Sequence, residues 1–143
     1  MEMKLEVLVL PVADVEVAKA FYEQVGFHLD HDIVRSPEFR VVQFTPPGSN
    51  TSILVGSGLT DAAPGSVQGL HLVVTDIAAT REELVARGIS VSEIFHDEDT
   101  FFHRAGTAHN VDGPNPRTPD YGTLASFVDP DGNGWFLQQI NDR

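Results

Sequence analysis

The feature that most constrains the fold of this chain is an internal repeat. Residues 8–27 read LVLPVADVEVAKAFYEQVGF and residues 70–89 read LHLVVTDIAATREELVARGI, so the second copy follows the first at a constant offset of 62 residues. In each copy an apolar stretch leads into an aspartate, Asp14 or Asp76, which is a favourable helix N-cap. Each copy closes on a glycine, Gly26 or Gly88, which readily takes the left-handed conformation that ends a helix. The repeat therefore predicts two strand–helix units.

A second block of sequence repeats in the same order. Residues 44–56 read FTPPGSNTSILVG and residues 127–139 read FVDPDGNGWFLQQ, at an offset of 83 residues. Both stretches indicate two strands joined by a turn of Pro, Gly and Asn. Together the two blocks predict an α+β fold of two βαβββ modules in a single domain, module 1 at about residues 1–60 and module 2 at about residues 67–143.

Module 2 contains an insertion. The offset rises from 62 to 83, so 21 extra residues lie between Gly88 and Phe127. The sequence there is rich in Gly, Pro, Asp and His, which favours turns over regular elements. We therefore predict an inserted loop at about residues 93–122.

Charge and composition exclude several classes of partner. The 143 residues include 9 Lys and Arg against 21 Asp and Glu, a formal net charge of −12, and no cysteine. Nucleic-acid phosphates and anionic membrane surfaces repel such a chain, so neither is an expected partner. Without cysteine there are no disulfides, thiolate metal ligands or thiol nucleophiles, and a cytoplasmic location is expected.

The order and spacing of these motifs resemble those of the vicinal-oxygen-chelate superfamily, which includes glyoxalase I, bleomycin-resistance proteins and extradiol dioxygenases. VADVEVAKAFYEQVGF in the first module and FVDPDGNGWFLQ at the end of the second are the motifs concerned. The resemblance covers the whole chain. It implies a curved mixed sheet around a cleft, helices packed outside, a homodimer, and a divalent metal in the cleft of the catalytic members.

The positions at which the resemblance implies metal ligands are occupied by other residue types. The family's histidines and carboxylates correspond to Val7, Ile53, Gly69 and Phe136 in this sequence. None of these side chains coordinates a cation. No cofactor is therefore expected.

Strand alternation offers substitutes close to these positions. Residues two apart on a strand share a face, so His71 faces the same cleft as Gly69, and Gln138 the same cleft as Phe136. The corresponding residues of module 1 are Val9 and Val55. One histidine and one amide make a weak metal site. A divalent metal held by His71 and Gln138, with His103 from the inserted loop, therefore stays an open alternative.

The same alternation predicts a largely apolar pocket for an organic, partly aromatic molecule. The inserted loop adds aromatic residues that either stack on a ligand or anchor the loop in a small core, and both interpretations stay open for Phe101 and Phe102. The predicted ligand contacts are Val7, Val9, Ile53, Val55, His71, Phe101, Phe102, Phe136 and Gln138.

Two functions follow from these residues. In the first, the chain is a binding protein of the sequestration or resistance type, which holds a hydrophobic small molecule without a catalytic metal. In the second, it is a lyase, isomerase or dioxygenase that uses His71 with a divalent metal or as an acid/base catalyst. The identity of the ligand does not follow from the sequence.

Overall fold

The computed structural model describes residues 1–141, and the chain divides into two compact units. Unit 1 comprises Met1–Gln68 together with Val128–Asn133. Unit 2 comprises Gly69–Phe127 and the residues from Gly134 onward. Each unit is described by itself.

Unit 1 is a mixed sheet with one helix packed on it in the described chain. Its elements are β1 (Val7–Val9), α1 (Val15–Val25), β2 (His28–Ser36), β3 (Phe39–Thr45) and β4 (Ser52–Ser57). The sheet order is β1-β4-β3-β2, with β1 parallel to β4 and the other pairs antiparallel.

Helix α1 begins and ends where the sequence predicts. Asp14 accepts hydrogen bonds from the backbone N–H groups of Glu16 and Val17, at 3.0 and 3.2 Å, and so satisfies two first-turn donors. Gly26 closes the helix with a φ of 105°, a conformation that a residue with a Cβ rarely adopts. The buried Tyr22 then packs against Phe44 of β3, which fixes the helix on one face of the sheet.

The register of β1 and β4 corrects one sequence prediction. Leu8 pairs with Ile53, and Val9 with Leu54, and paired residues of a parallel ladder share a face. Ile53 therefore lies on the helix side with Phe44, its partner on β3. The buried Val55 follows the same alternation. The prediction that Val7, Val9, Ile53 and Val55 share one face is wrong.

The physical reason is a difference of one residue in turn length. In unit 2, His71 pairs with Phe136, whereas the residue equivalent to His71 in unit 1, Val9, pairs with Leu54 rather than Ile53. The hairpin of module 2 is thus one residue shorter than the repeat alignment assumed. A shift of one residue moves every side chain to the other face, so Leu54 and Gly56 are the true counterparts of Phe136 and Gln138.

A buried polar network holds the turn between the last two strands within unit 1. Asp129 accepts hydrogen bonds from the Tyr22 hydroxyl at 2.9 Å and from the Asn133 side-chain amide at 2.8 Å. The same side-chain NH₂ donates to the Pro11 carbonyl at 2.9 Å, and the side-chain oxygen Oδ1 of Asn133 accepts from the Val67 N–H. Every polar atom named here has a partner, as burial requires.

Unit 2 repeats the βαβββ order and adds a strand. Its elements are β5 (Leu70–Val74), α2 (Ile77–Ala86), β6 (Phe95–Asp97), β7 (Asn110–Asp112), β8 (Leu124–Val128) and β9 (Gly134–Gln139). The sheet order is β5-β9-β8-β6-β7, with β5 parallel to β9. Strands β6 and β7 lie inside the segment that the sequence predicted as loop, because three-residue strands carry too little alternation to be recognised.

The α+β fold with two βαβββ modules is confirmed. Within residues 1–141 it consists of two helices and two separate mixed sheets, of four and five strands, neither closed into a barrel. Asp76 caps α2 by accepting from the Ala79 N–H, and Gly88 follows the helix with a φ of 87°. No helix in the described part of the chain has the length and apolar character needed to span a membrane.

Candidate functional site

A hydrogen-bonded chain of three residues borders the pocket of unit 2. Nδ1 of His71 lies 3.0 Å from Oε1 of Gln138. Nε2 of Gln138 donates to the Tyr121 carbonyl at 2.8 Å. These residues come from β5, β9 and the segment before β8, so the parallel pairing of β5 with β9 and the return of the chain along β8 bring them together.

Aromatic rings form the floor of the site. His71 and Phe136 face each other across the β5–β9 ladder, with ring centroids 5.0 Å apart. Phe136 also contacts His103 at 4.9 Å and Phe95 at 6.4 Å. Phe95 is 5% exposed, so it belongs to the core of unit 2. Packing of these rings holds the His71 imidazole in one orientation.

A second set of rings is exposed above this floor. Phe101 stacks on Tyr121 with centroids 4.8 Å apart, and Phe102 meets Phe101 edge-on at 4.7 Å. Phe101, Phe102 and Tyr121 are 42%, 63% and 37% exposed. Of the two interpretations left open by the sequence, the structure therefore places Phe101 and Phe102 at the surface of a pocket and not in a buried core.

The pocket between floor and rings has a volume of about 340 Å³. This is within the range of small-molecule sites in proteins. A neighbouring pocket of about 550 Å³ shares Phe101 and Phe102 and is bordered by Asp99, Arg117 and Thr118. The first pocket is lined by His71, Phe101, Phe102, His103, Tyr121, Leu124 and Gln138.

Tyr121 is held in a strained backbone conformation by its neighbours on β9. Its φ is 71°, in the left-handed region that residues with a side chain seldom occupy. The Tyr121 N–H donates to the Gln139 carbonyl at 2.7 Å, while its own carbonyl accepts from Gln138. Such a conformation costs about 1–3 kcal/mol and persists only where surrounding contacts impose it. The contacts here place the Tyr121 ring over the pocket.

A buried carboxylate organises the segment that bears the exposed phenylalanines. Asp97, 2% exposed at its side chain, accepts from the Arg104 guanidinium at 2.9 Å and from the backbone N–H groups of Asp99 and Arg104. The guanidinium, followed by these backbone donors, holds the pKa of Asp97 well below its usual range. The carboxylate thus closes residues 97–104 into a loop, and Phe101 and Phe102 lie at its outer turn.

The predicted site residues are only partly brought together. His71, Phe101, Phe102 and Gln138 border one pocket, and Phe136 lies beneath His71. Val7 and Val9 are on β1 in unit 1, and their contact with a ligand stays a prediction. Ile53 and Val55, 2% and 0% exposed, are core residues of unit 1, which corrects their assignment to the pocket wall.

Leu124 and Arg117 border the pockets without having been singled out. Leu124 follows from strand alternation once β8 is located, because it pairs with Phe95 on β6. Arg117 lies in a stretch rich in Pro and Asn, where no periodic signal exists.

The nitrogen and oxygen atoms do not form a metal centre. Among residues 1–141 no group of three His, Cys, Asp or Glu side chains is placed to hold a metal ion. Gln138 uses both ends of its amide in protein hydrogen bonds, and Nε2 of His103 lies 3.1 Å from Oδ1 of Asn110. The residues present therefore do not fit the divalent ion of the catalytic relatives.

Comparison with known proteins places the chain among proteins of similar sequence and fold. The family model described as Glyoxalase/Bleomycin resistance protein/Dioxygenase superfamily matches residues 4–137. No curated protein matches the sequence.

Solved structures match over nearly the full length. The antibiotic binding protein TnmS3 from Streptomyces sp. CB03234 is 33% identical, with 96% of each chain covered and a TM-score of 0.70. A glyoxalase/bleomycin resistance protein from the same organism is 34% identical, with 95% of this chain and 100% of that chain covered and a TM-score of 0.68. A superfamily member from Sphaerobacter thermophilus DSM 20745 is 25% identical, with 97% and 98% covered and a TM-score of 0.70.

Proposed function

Because the chain belongs to the Glyoxalase/Bleomycin resistance protein/Dioxygenase superfamily, we propose that it binds a planar hydrophobic small molecule in the unit 2 pocket. Binding requires no catalytic metal, and the protein acts by sequestration, as a resistance protein does. The observation behind the proposal is the exposed aromatic set, Phe101, Phe102 and Tyr121, above a pocket of about 340 Å³. Exposed rings gathered at one pocket are a common feature of ligand sites.

Three further observations support this function. TnmS3, which is 33% identical to the chain, is described as an antibiotic binding protein. With the register corrected, the positions that resemble the family's metal ligands hold Val7, Leu54, Gly69 and Phe136, which have no donor atoms for a cation. The pocket walls combine apolar rings with the few polar groups of His71 and Gln138, the composition that orients a ligand while burying its surface.

Fluorescence titration with planar aromatic probes tests the proposal. We expect saturable binding of 2-naphthol and 2-methylnaphthalene at one per chain, weakened about tenfold or more in Phe101→Ala, because the variant loses a stacking surface. Phe39→Ala is the matched control: this phenylalanine on β3 is also 42% exposed but lies in unit 1. Equal losses in both variants, or no saturable binding, would contradict the proposal.

Elemental analysis of protein purified without a histidine tag decides the metal question. We expect no tightly bound divalent ion and unchanged probe affinity after treatment with EDTA. A transition metal at one per chain would overturn the metal-free function and favour the enzyme alternative.

A further inference from the structure

The amide of Gln138 has a fixed orientation, because one end of it meets a backbone carbonyl. A carbonyl oxygen accepts hydrogen bonds and never donates them. The Gln138 atom 2.8 Å from the Tyr121 carbonyl is therefore the NH₂ group. The other end of the amide, 3.0 Å from Nδ1 of His71, is consequently the oxygen.

This orientation determines where the proton of a neutral His71 resides. Since Oε1 of Gln138 only accepts, Nδ1 of His71 is the donor and bears the hydrogen. A neutral imidazole has one protonated nitrogen, so Nε2 keeps a free lone pair. Within residues 1–141 Nε2 has no hydrogen-bond partner, and His71 lines the pocket.

We propose that Gln138 is a positioning residue that fixes the Nδ1–H tautomer of His71, so that Nε2 accepts a hydrogen bond from the ligand. This assignment of Gln138 rests on the proposed function. It restricts the ligand class to planar aromatic molecules that carry a hydrogen-bond donor on the ring, such as a phenolic hydroxyl. A donor on the ligand forms a hydrogen bond with the lone pair of Nε2. A ligand that presents only an acceptor places its own lone pair against that of Nε2 and gains no hydrogen bond.

The strain at Tyr121 fits the same arrangement. Gln138 donates to the Tyr121 carbonyl and Gln139 accepts from its N–H, so one strand holds both His71 and the stacking ring of Tyr121. The Tyr121 ring stacks on Phe101, and both residues border the pocket with His71. The Gln138 side chain thus connects the His71 imidazole to Tyr121, which carries an aromatic ring of the pocket wall.

Nitrogen-15 NMR of the wild-type imidazoles tests the tautomer without any ligand. Long-range correlation spectra at a pH where the ring is neutral should show Nδ1 of His71 at the frequency of a protonated nitrogen and Nε2 at that of an unprotonated one. His71→Asn identifies the signals, and the exposed His31 provides an internal reference. In Gln138→Leu the His71 signals should shift toward a mixture of tautomers. A protonated Nε2 in the wild type would overturn the proposal.

Two probes of matched shape test the ligand class. We expect 2-naphthol to bind about three- to tenfold more tightly than 2-methylnaphthalene, which replaces the hydroxyl by a methyl group, because one hydrogen bond is lost. Gln138→Leu should remove most of this preference, so that the ratio of the two affinities approaches one whatever change in affinity the two probes share. Equal affinities for both probes in the wild type would overturn the donor requirement. Absence of binding by either probe would instead overturn the proposed function, and the NMR result would still decide the role of Gln138.

Discussion

Gln138 and Gln139 are adjacent on β9 and have opposite roles, because neighbouring residues of a strand face opposite sides of a sheet. Gln138 joins His71 to Tyr121 on the pocket side. Gln139 accepts from the Ile77 N–H at 3.0 Å on the side of α2, where it satisfies a donor in the first turn of the helix. The sequence indicated the face of Gln138 correctly, since His71 and Gln138 are hydrogen-bonded as their shared parity suggests. It did not reveal the capping role of Gln139, because that contact depends on how α2 packs against β9.

At the residue scale, removal of the Tyr22 hydroxyl tests the buried network of unit 1. We expect Tyr22→Phe to lower the free energy of unfolding by about 1–2 kcal/mol, because the Asp129 carboxylate, 3% exposed, loses one of its donors. Urea unfolding followed by circular dichroism measures the change.

The chain contains a matched control for this substitution. Tyr121→Phe also removes a tyrosine hydroxyl, but from a side chain that is 37% exposed. Water can therefore satisfy any group that loses a hydrogen bond to this hydroxyl. Its unfolding midpoint should stay close to that of the wild type. Equal destabilisation by both substitutions would show that the Tyr22–Asp129 contact has no special contribution.

At the scale of elements, the repeat predicted the order of strands and helices but not the register. Asp14 and Gly26 bound the first helix, and Asp76 and Gly88 the second, as predicted, because capping is a local property of the chain. The pairing of Val9 with Leu54 was not predictable in the same way. It depends on the length of the turn between the last two strands, which differs by one residue between the two modules. The alignment of the two repeat sequences does not show this difference. The structure of the inserted segment was not predicted for a different reason. Asp97 organises this segment through hydrogen bonds that leave no periodic pattern in the sequence.

An ion-pair cluster joins the helix of unit 1 to two strands. Asp32 on β2 accepts from Arg40 on β3 at 2.8 and 2.9 Å and from Lys19 on α1 at 2.9 Å, and Arg40 also pairs with Glu16. Hydrogen bonds from Arg40, then from Lys19, hold the pKa of Asp32 well below its usual range. A depressed pKa in the folded state means that the cluster contributes its full stability above the pKa of an unfolded aspartate, about 3.9. That contribution is lost as pH falls through the lower, folded value.

Asp32→Asn should therefore lower the melting temperature at pH 7, and the difference from the wild type should shrink progressively below about pH 4. Thermal unfolding over a pH series measures the difference. Asp61→Asn, an exposed carboxylate outside the strands, is the control and should give little difference at any pH. A difference for Asp32→Asn that is constant from pH 7 to pH 3 would contradict the assignment of the stabilisation to this carboxylate.

At the scale of the whole molecule, charge is the dominant property. A net charge of −12 in 143 residues gives the surface a negative potential, which opposes association with nucleic acids and with other copies of the chain. The homodimer expected from the family resemblance must overcome this repulsion through apolar contact. Large apolar side chains are available at the surface, for example Val34 and Leu5, both 64% exposed, and Val128, 59% exposed.

Charge repulsion and apolar contact together predict a dimer that added salt stabilises. An association driven by opposite charges would instead be weakened by added salt. The Debye length shortens from about 30 Å at 0.01 M salt to about 10 Å at 0.1 M, so added salt screens the repulsion while leaving apolar contact intact. In light scattering coupled to size exclusion we expect twice the chain mass of 15.6 kDa at moderate salt, and a growing share of monomer as salt is withdrawn. Dissociation on addition of salt would indicate that complementary charges hold the copies together. A mass of one chain under all conditions would contradict the dimer.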